Sequence, residues 1–321
     1  MPPAIHRRID QLSFVLGLLV LLALLINSAR WTMPATEWVM LNVSGYPYQA
    51  DAHLIRAGKA TVLIDVGTED GGAEVVVPYL KRLGILEITH VFITHPHKDH
   101  YGGINALLDA GIPIKQVFFF MPSKVQCDVE LPWGCDWVHL RSTMERIHKL
   151  NIPLHTAEKG YQVQLSNTAK IEVLHAYDGV HTPAGPTDIN DLSLIMRLTH
   201  GPTSVMFTGD LNHTLGTYLG TLGNEMNATL LKVPHHGAES AAPNTFYEAV
   251  SPKEAMVPTP LDLWCNPRSM RTRLWMEARG VPVHVNGFHG HISVLINNRT
   301  YRIQHQISTS DSICNDQAQE Q

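Results

Sequence analysis

Cysteine is scarce in this chain. Four occur among 321 residues, at positions 127, 135, 265 and 314, and their spacing fits no zinc ribbon. Cys127 and Cys135 bracket QCDVELPWGCD, a turn-rich loop that a disulfide could close; four free thiols are the alternative. Basic residues are not in excess either. The net charge is −5, which removes the global footprint that nucleic-acid binding usually needs and leaves phosphate to a local basic groove or a metal. Charged residues make up only 17% against 44% hydrophobic ones, too apolar for a wholly disordered chain and ordinary for a globular α/β protein. No G-x-S-x-G nucleophile turn occurs, and GGAEVVVPYL, though glycine-containing, is no P-loop. Short-period repeats and convincing linkers are also missing, so one main domain is expected.

One hydrophobic run stands out. His6, Arg7 and Arg8 precede an apolar stretch from Phe14 to Ile26, inside a charge-free segment from Gln11 to Ala29. That is just long enough to span a bilayer with its ends included. Residues 1–30 read as an uncleaved signal anchor; a cleaved signal peptide and a buried core helix are the alternatives. The cut after Ala29 is poor, because Asn27 stands where a small residue is wanted. Either export reading puts the rest of the chain, a domain over 31–307 and a polar tail over 308–321, outside the cytoplasm, periplasmic or extracellular.

Beyond residue 35, β-rich segments recur, among them AHLIRA, TVLIDVG, THVFITH, LSLIMRLTH, TSVMFTGD, ATLLKVPHH and HISVLI. Many are apolar on both alternations, the pattern of sheets covered on both faces. Helical periodicity falls between them, near 73–83, 103–110, 136–150, 243–250 and 268–279. Strands mixed with helices in this order argue for stacked sheets with helices outside.

The chemistry concentrates in FITHPHKDHYGG. His95, His97, Asp99 and His100 lie within six residues, on the loop that follows a buried strand. Imidazole nitrogen and carboxylate oxygen are suitable zinc ligands. His95 and His97 can face one position while Asp99 and His100, a turn later, face a second. Gly102 and Gly103 are expected to let the backbone turn tightly behind them. Two distant strands end in similar groups: SVMFTGDL in Gly209-Asp210, and TLLKVPHHGAES in His235-His236-Gly237.

HPHKDH matches the H-x-H-x-D-H signature of the metallo-β-lactamase superfamily. TVLIDVGTE, with Asp65, resembles the strand and loop that precede it there. NDLSLIMRLTHGPTSVMFTGD followed by LLKVPHHG resembles one branch, that of the hydrolase domain of the competence protein ComEC and the related phosphorylcholine esterases. The resemblance runs from about Val39 to Ile303. It implies a four-layer αββα sandwich following the N-terminal hydrophobic helix, and two divalent metals, zinc by preference and manganese as the alternative. His95 and His97 would bind one metal. Asp99 and His100 would bind the other, with His236 or, second in order, His235. Asp210 would bridge the two, Asp65 would brace the loop as a hydrogen-bond acceptor, and Asp99 could also take a proton.

The chain departs from the superfamily at large in one place and from that branch in two. A further histidine that completes the first metal's shell elsewhere in the superfamily is missing from GPTDINDLSL, where Asp191 or Asn190 could fill in. A G-Q-G-D turn is replaced by SGYPYQAD, and a histidine before proline is replaced by Asn266-Pro267. The last two lie where substrate contacts are expected.

The function expected is metal-dependent hydrolysis of phosphodiesters or phosphoesters. Hydrolysis of a lactone or β-lactam on the same metals is the alternative, and a non-catalytic binding domain of the same fold is a further one. The partners expected are a small-molecule or phosphoester substrate and, through the N-terminal segment, a membrane. His284, His289 and His291 suggest a third metal position but read better as lining a late hairpin. Trp133, Trp137 and Trp264 read as a substrate rim or as ordinary packing.

Overall fold

The structure, a computed structural model, describes residues 14–22, 35–45, 48–129, 135–177, 188–238, 242–309 and 312–314. Two mixed sheets stack face to face. The first contains β1 (Thr36–Met40), β2 (Ala52–Ala57), β3 (Ala60–Val66), β4 (His90–Phe92), β5 (Val117–Phe118) and β6 (Leu154–His155). The second contains β7 (Gln162–Gln164), β8 (Ala169–His175), β9 (Ile195–His200), β10 (Thr203–Phe207), β11 (Leu230–Lys232), β12 (Glu254–Val257) and β13 (Val283–Val285). The chain then returns to the first sheet with β14 (Ile292–Ile296) and β15 (Tyr301–His305). The spatial orders are β15-β14-β1-β2-β3-β4-β5-β6 and β13-β12-β11-β10-β9-β8-β7. β6 and β7 are short strands that the sequence pattern does not announce.

Alternation along the strands divides the side chains among three cores. Trp38, Met40, Ile55, Ile64 and Phe92 meet Leu198, Phe207, Leu230 and Met256 between the sheets. Val39, Leu54, Leu63 and Val91 face the other way, against helices that include Trp137–Lys149. Ile195, Met206 and Leu231 pack against the helices on the outer face of the second sheet. The result is the expected αββα order. Helix Trp137–Lys149 shows why it forms: Asp136 caps its first turn by accepting from His139 N, and Leu140, Thr143, Met144 and Ile147 make one buried stripe. Each fully buried leucine or phenylalanine contributes about 1.5–3 kcal/mol relative to exposure.

Gly102 and Gly103 make the expected turn, between helices Lys98–Tyr101 and Ile104–Asp109, but with ordinary helical φ values of −55° and −70°. Close approach is what requires them. A Cβ on Gly103 would stand 2.3 Å from Val66 O, and one on Gly102 2.4 Å from Lys98 O. The absence of a side chain at Gly103 lets this turn lie directly on β3, and Gly102 fits against Lys98 O and Glu69 N.

Both cysteine pairs are closed, Cys127–Cys135 and, across 49 residues, Cys265–Cys314. Among the described residues no helix is long and apolar enough to cross a membrane. The apolar helix over 14–22 is exposed, with Phe14 at 69% and Leu16 at 63%. The rest of the proposed anchor, and Trp133, lie outside the described residues.

Of the late histidines, His284 and His289 gather with His305, and His291 does not join them. His291 stands apart and accepts from Asn42 N at 2.9 Å. His284 instead links the outer strands of the two sheets: its Nδ1 lies 2.8 Å from His305 Nε2, and its Nε2 lies 2.8 Å from Glu254 Oε2. Tyr301 Oη donates to Glu254 Oε1, and the His289 ring lies 3.9 Å from that of His305. Burial pushes His289 down to about 4, and burial also lowers His305. In the unfolded chain both return to the ordinary value of 6.5. The unfolded state therefore binds more protons, so stability is full above pH 6.5 and is lost as pH falls toward 4. His289→Gln should weaken that dependence. Urea melts at about pH 7 and about pH 5 should show a smaller drop for the variant than for the wild type; equal drops would count against the histidine link.

Candidate metal centre

The site lies where the two sheets meet at their strand ends. Three segments carry it: the loop after β4, the turn after β10 and the turn after β11. Leu194 N donates to Thr94 O at 3.0 Å and ties the first sheet to the second beside it.

Asp99, His100, Asp210 and His236 each place one potential ligand atom within 4.8 Å of all the others. Asp210 Oδ2 lies 3.3 Å from His100 Nε2 and 3.1 Å from His236 Nε2; Asp99 Oδ2 lies 3.4 Å from His236 Nε2 and 3.8 Å from His100 Nε2. Two ligand atoms about 2.0–2.1 Å from one tetrahedral ion stand about 3.3 Å apart, so this spacing suits a shared cation.

The histidine tautomers agree. His100 Nδ1 donates to Asp65 Oδ2 at 2.8 Å, and His236 Nδ1 donates to Pro258 O at 2.8 Å. A carboxylate and a carbonyl can only accept, so each neutral ring carries its proton on Nδ1 and its lone pair on Nε2. Both Nε2 atoms are buried and have no hydrogen-bond partner among the described residues. Burying unpartnered polar atoms is costly, and a divalent cation would satisfy both together. The donor set fits zinc, with manganese acceptable for its carboxylates.

Asp65 braces the loop as expected. It sits at φ 56°, a left-handed conformation that aspartate tolerates better than most residues. Its carboxylate accepts from Thr94 N and from Thr94 Oγ1, both at 2.8 Å. With its proton given to Asp65, Thr94 Oγ1 is left to accept from His95 Nδ1 at 3.0 Å. The His95 Nε2 lone pair then faces His97 Nδ1 at 3.1 Å. His95 and His97 are thus together at ligand spacing, but they do not join the compact group of four.

Asp191 is a correction. Its Oδ1 accepts from Asn212 N at 2.6 Å and its Oδ2 from Leu215 N at 3.2 Å. Those amides open helix His213–Gly220, so Asp191 caps a helix and is not placed as a ligand. Asn190 keeps a buried Oδ1 without a hydrogen-bond partner among the described residues, and no described contact joins it to the cluster. Trp264 packs where a Cβ on Gly237 would meet it at 2.6 Å, and Trp137 lies against the outer core, so both are packing residues.

The paired histidines differ from the expectation as well. They do not continue a strand. They form a turn, Pro234–Gly237, with His235 at φ 45° and His236 at φ 54°. Two consecutive left-handed non-glycine residues cost about 1–3 kcal/mol each, a strain the surrounding packing has to hold. The turn aims both rings at Asp210, with His235 Nε2 3.8 Å from Oδ2. His235 Nδ1 lies 2.6 Å from Asn212 Oδ1, and Asn212 Nδ2 donates to Asp188 Oδ2 at 2.7 Å. His236 alone joins the compact group. His236→Ala should therefore lose a metal, by about 100-fold in affinity or more, since outer partners alone are worth 10–100-fold. His235→Ala should leave the metal content unchanged. Equal metal loss in the two variants, by mass-spectrometric counting, would reject this assignment.

Electrostatics fits a cation site. Burial works against charge on His100, but the Asp210, Asp65 and Asp99 carboxylates outweigh it and hold that imidazole well above its usual value. Burial also opposes charge on His236, yet Asp210 and Asp51 raise it to about 9. Against the same burial, His100 and His236 pull Asp99 down to about 2. His235 goes the other way, lowered by burial to about 4.

Two residues beneath the ligands escaped sequence reading. Lys232 is 1% exposed, and it pairs with Asp51 Oδ2, donates to Gly209 O at 2.7 Å and reaches Asp210 Oδ1 at 3.5 Å. Asp51, fully buried, lies 3.7 Å from His100 Nδ1 and 3.6 Å from His236 Nδ1. The available signals were a lysine inside the apolar LLKV segment and the final aspartate of SGYPYQAD.

Residues 45–116 match the Metallo-beta-lactamase superfamily. Over 209 residues the chain is 24% identical to Competence protein ComA of Neisseria gonorrhoeae, covering 63% of this chain and 24% of that protein. Over 190 residues it is 22% identical to ComE operon protein 3 of Bacillus subtilis, covering 58% and 22%. The chain thus spans about a quarter of the length of these curated relatives. Among solved structures, CmlA, a diiron β-hydroxylase from Streptomyces venezuelae, has a TM-score of 0.51 at 12% identity, over 85% of this chain and 54% of that one. At that identity the likeness is one of fold alone.

Proposed function

Taking the chain as a metallo-β-lactamase-fold protein akin to the competence proteins, we propose that it is a binuclear metal-dependent hydrolase acting on phosphodiesters or phosphoesters. The observation that carries the reading is the buried group of Asp99, His100, Asp210 and His236, with both imidazoles oriented to present Nε2. Bound there and at His95 and His97, divalent cations would supply water activation and charge stabilisation for hydrolysis.

The residues themselves do the positioning. Asp65 and Thr94 fix the rings of His95 and His100. Asp210 offers one oxygen, Oδ2, to both His100 and His236 while Oδ1 faces Lys232. Asp99, partly exposed with its side chain at 24%, is the carboxylate best placed to exchange a proton with a substrate or water.

The phosphoester preference rests on the branch resemblance, and the fold by itself hosts other metal chemistry. The test is a substrate panel on the metal-loaded full chain: bis(p-nitrophenyl) phosphate, nitrocefin and an acyl-homoserine lactone. Turnover of the first alone supports the proposal. Turnover of either of the others favours lactone or β-lactam hydrolysis, and full metal content without turnover favours a binding domain.

The two disulfides favour an oxidising compartment. With the exposed apolar helix over 14–22, they support membrane attachment with the hydrolase outside the cytoplasm. Fractionation tests this: full-length chain recovered soluble with its N-terminus intact would refute the anchor.

A further inference from the structure

Arg268 is a half-buried cation without a carboxylate. Several arginines are paired, Arg56 with Glu37, Arg141 with Glu145, Arg197 with Glu172 and Arg279 with Glu248, while Arg82 lies over the Tyr79 ring and Arg273 donates to the Cys265 and Asn266 carbonyls. Among the described residues Arg268 forms no ion pair, and its side chain has one hydrogen-bond acceptor, Gln49 Oε1 at 2.5 Å. A guanidinium carries five donors in a planar fork, and partly burying one without a counter-ion is unfavourable.

Its position explains the tolerance. The segment after β12 lies on the metal centre, since Pro258 O receives His236 Nδ1. Beyond helix Leu261–Cys265, Asn266 Oδ1 accepts from Arg268 N at 2.8 Å and Pro267 stiffens the turn, so Arg268 leaves a rigid base. From there it reaches 219 positions back in the chain, to Gln49. Two residues on, Asp51 N donates to Asp99 O at 3.1 Å, so the guanidinium bridges two loops bordering Asp99. Burial lowers Arg268 from the ordinary arginine value, and the Asp210 and Asp99 carboxylates act against that. The same positive charge helps to lower His235. The geometric link to the cluster is the bridge through Gln49 to the loop held on Asp99. Once Asp99 and Asp210 are engaged by divalent cations, Arg268 becomes a fixed cation beside other cations, an arrangement that an anionic ligand would balance.

We propose that Arg268 binds the non-bridging oxygens of a phosphoester whose phosphorus is held at the metal centre, and so selects for a phosphate anion. The proposal rests on the phosphoester reading and deepens it. Arginine suits the task because its fork matches two oxygens of one phosphate. It stands beside the Asn266-Pro267 pair, in the segment where substrate contacts are expected.

The test uses the metal-loaded full chain, with inorganic phosphate titrated calorimetrically, metal counted by mass spectrometry, and KM and kcat measured for bis(p-nitrophenyl) phosphate. Arg268→Met should weaken phosphate binding by roughly tenfold or more and raise KM similarly, with metal content unchanged. Arg268→Lys should fall between, because an ammonium keeps the charge and loses the fork. Unchanged phosphate affinity in Arg268→Met overturns the proposal, as does metal loss in step with affinity, or a wild type that binds no phosphate. If the wild type binds phosphate in an Arg268-dependent way yet hydrolyses no phosphoester, the anion site stands and the hydrolase reading falls.

Discussion

Asp210→Ala should strip metal from both positions more thoroughly than any other single substitution at the site. Its Oδ2 lies 3.3 Å from His100 Nε2 and 3.1 Å from His236 Nε2, and His235 Nε2 is 3.8 Å away on the same oxygen. Removing that oxygen takes away the one carboxylate atom shared by both Nε2 lone pairs and a full negative charge that a cation there would balance. An outer partner of a metal ligand is worth about 10–100-fold in metal affinity. Asp65→Asn, which alters only such a partner, should fall in that range, and Asp210→Ala should exceed it. Metal counting on the purified full chain decides the matter. Two metals retained in Asp210→Ala would end the assignment of Asp210 as the bridge, and a larger loss in Asp65→Asn would reverse the order of the shells.

Lys232→Met should destabilise the fold by about 3–5 kcal/mol, the usual cost of breaking a buried ion pair by removing one partner. Lys232 is 1% exposed and Asp51 is fully buried. Burial alone would lower the lysine, but Asp51 and Asp210 outweigh it and hold the ammonium above its ordinary value. Without it, Asp51 is left charged between the two sheets and beside both ligand histidines, and Gly209 O loses its donor. The double variant Lys232→Met with Asp51→Asn should recover much of the loss, because no unpaired charge then remains buried. Urea melts of metal-free protein measure this without interference from metal binding. A loss under about 1 kcal/mol in the single variant would show that Asp51 finds another partner or takes up a proton.

The candidate ligand loop was legible because its residues are close together in the chain. His95, His97, Asp99 and His100 occupy one strand end and one helical turn, so their spacing in sequence is nearly their spacing in space. The αββα order was legible for a related reason. Strands apolar on both alternations must be covered on both faces, and the helical stripes between them supply the cover. Asp191 misled because a carboxylate next to a ligand-bearing strand looks the same whether it faces a metal or caps a helix; the amides of Asn212 and Leu215 decide, and they belong to a later segment. Gly102 and Gly103 were legible as a turn, but the close approaches that require glycine, Gly103 to Val66 O of β3 and Gly102 to Lys98 O and Glu69 N, are not visible in local spacing.

The sequence by itself determined the two-sheet architecture and the chemical type of the centre, since hydrophobic period and ligand chemistry are properties of short segments. Tertiary structure alone decided which groups support and border that centre. Lys232 sits in an apolar strand where it could equally have reached solvent; only the stacking of β11 against the sheet that carries Asp51 turns it into a buried counter-charge. Arg268 and Gln49, far apart in the chain, meet because two loops converge at one end of the sandwich. Cys265 and Cys314 are joined for the same reason. Pairings of this kind depend on how sheets stack and where loops land, and no window of sequence contains both partners.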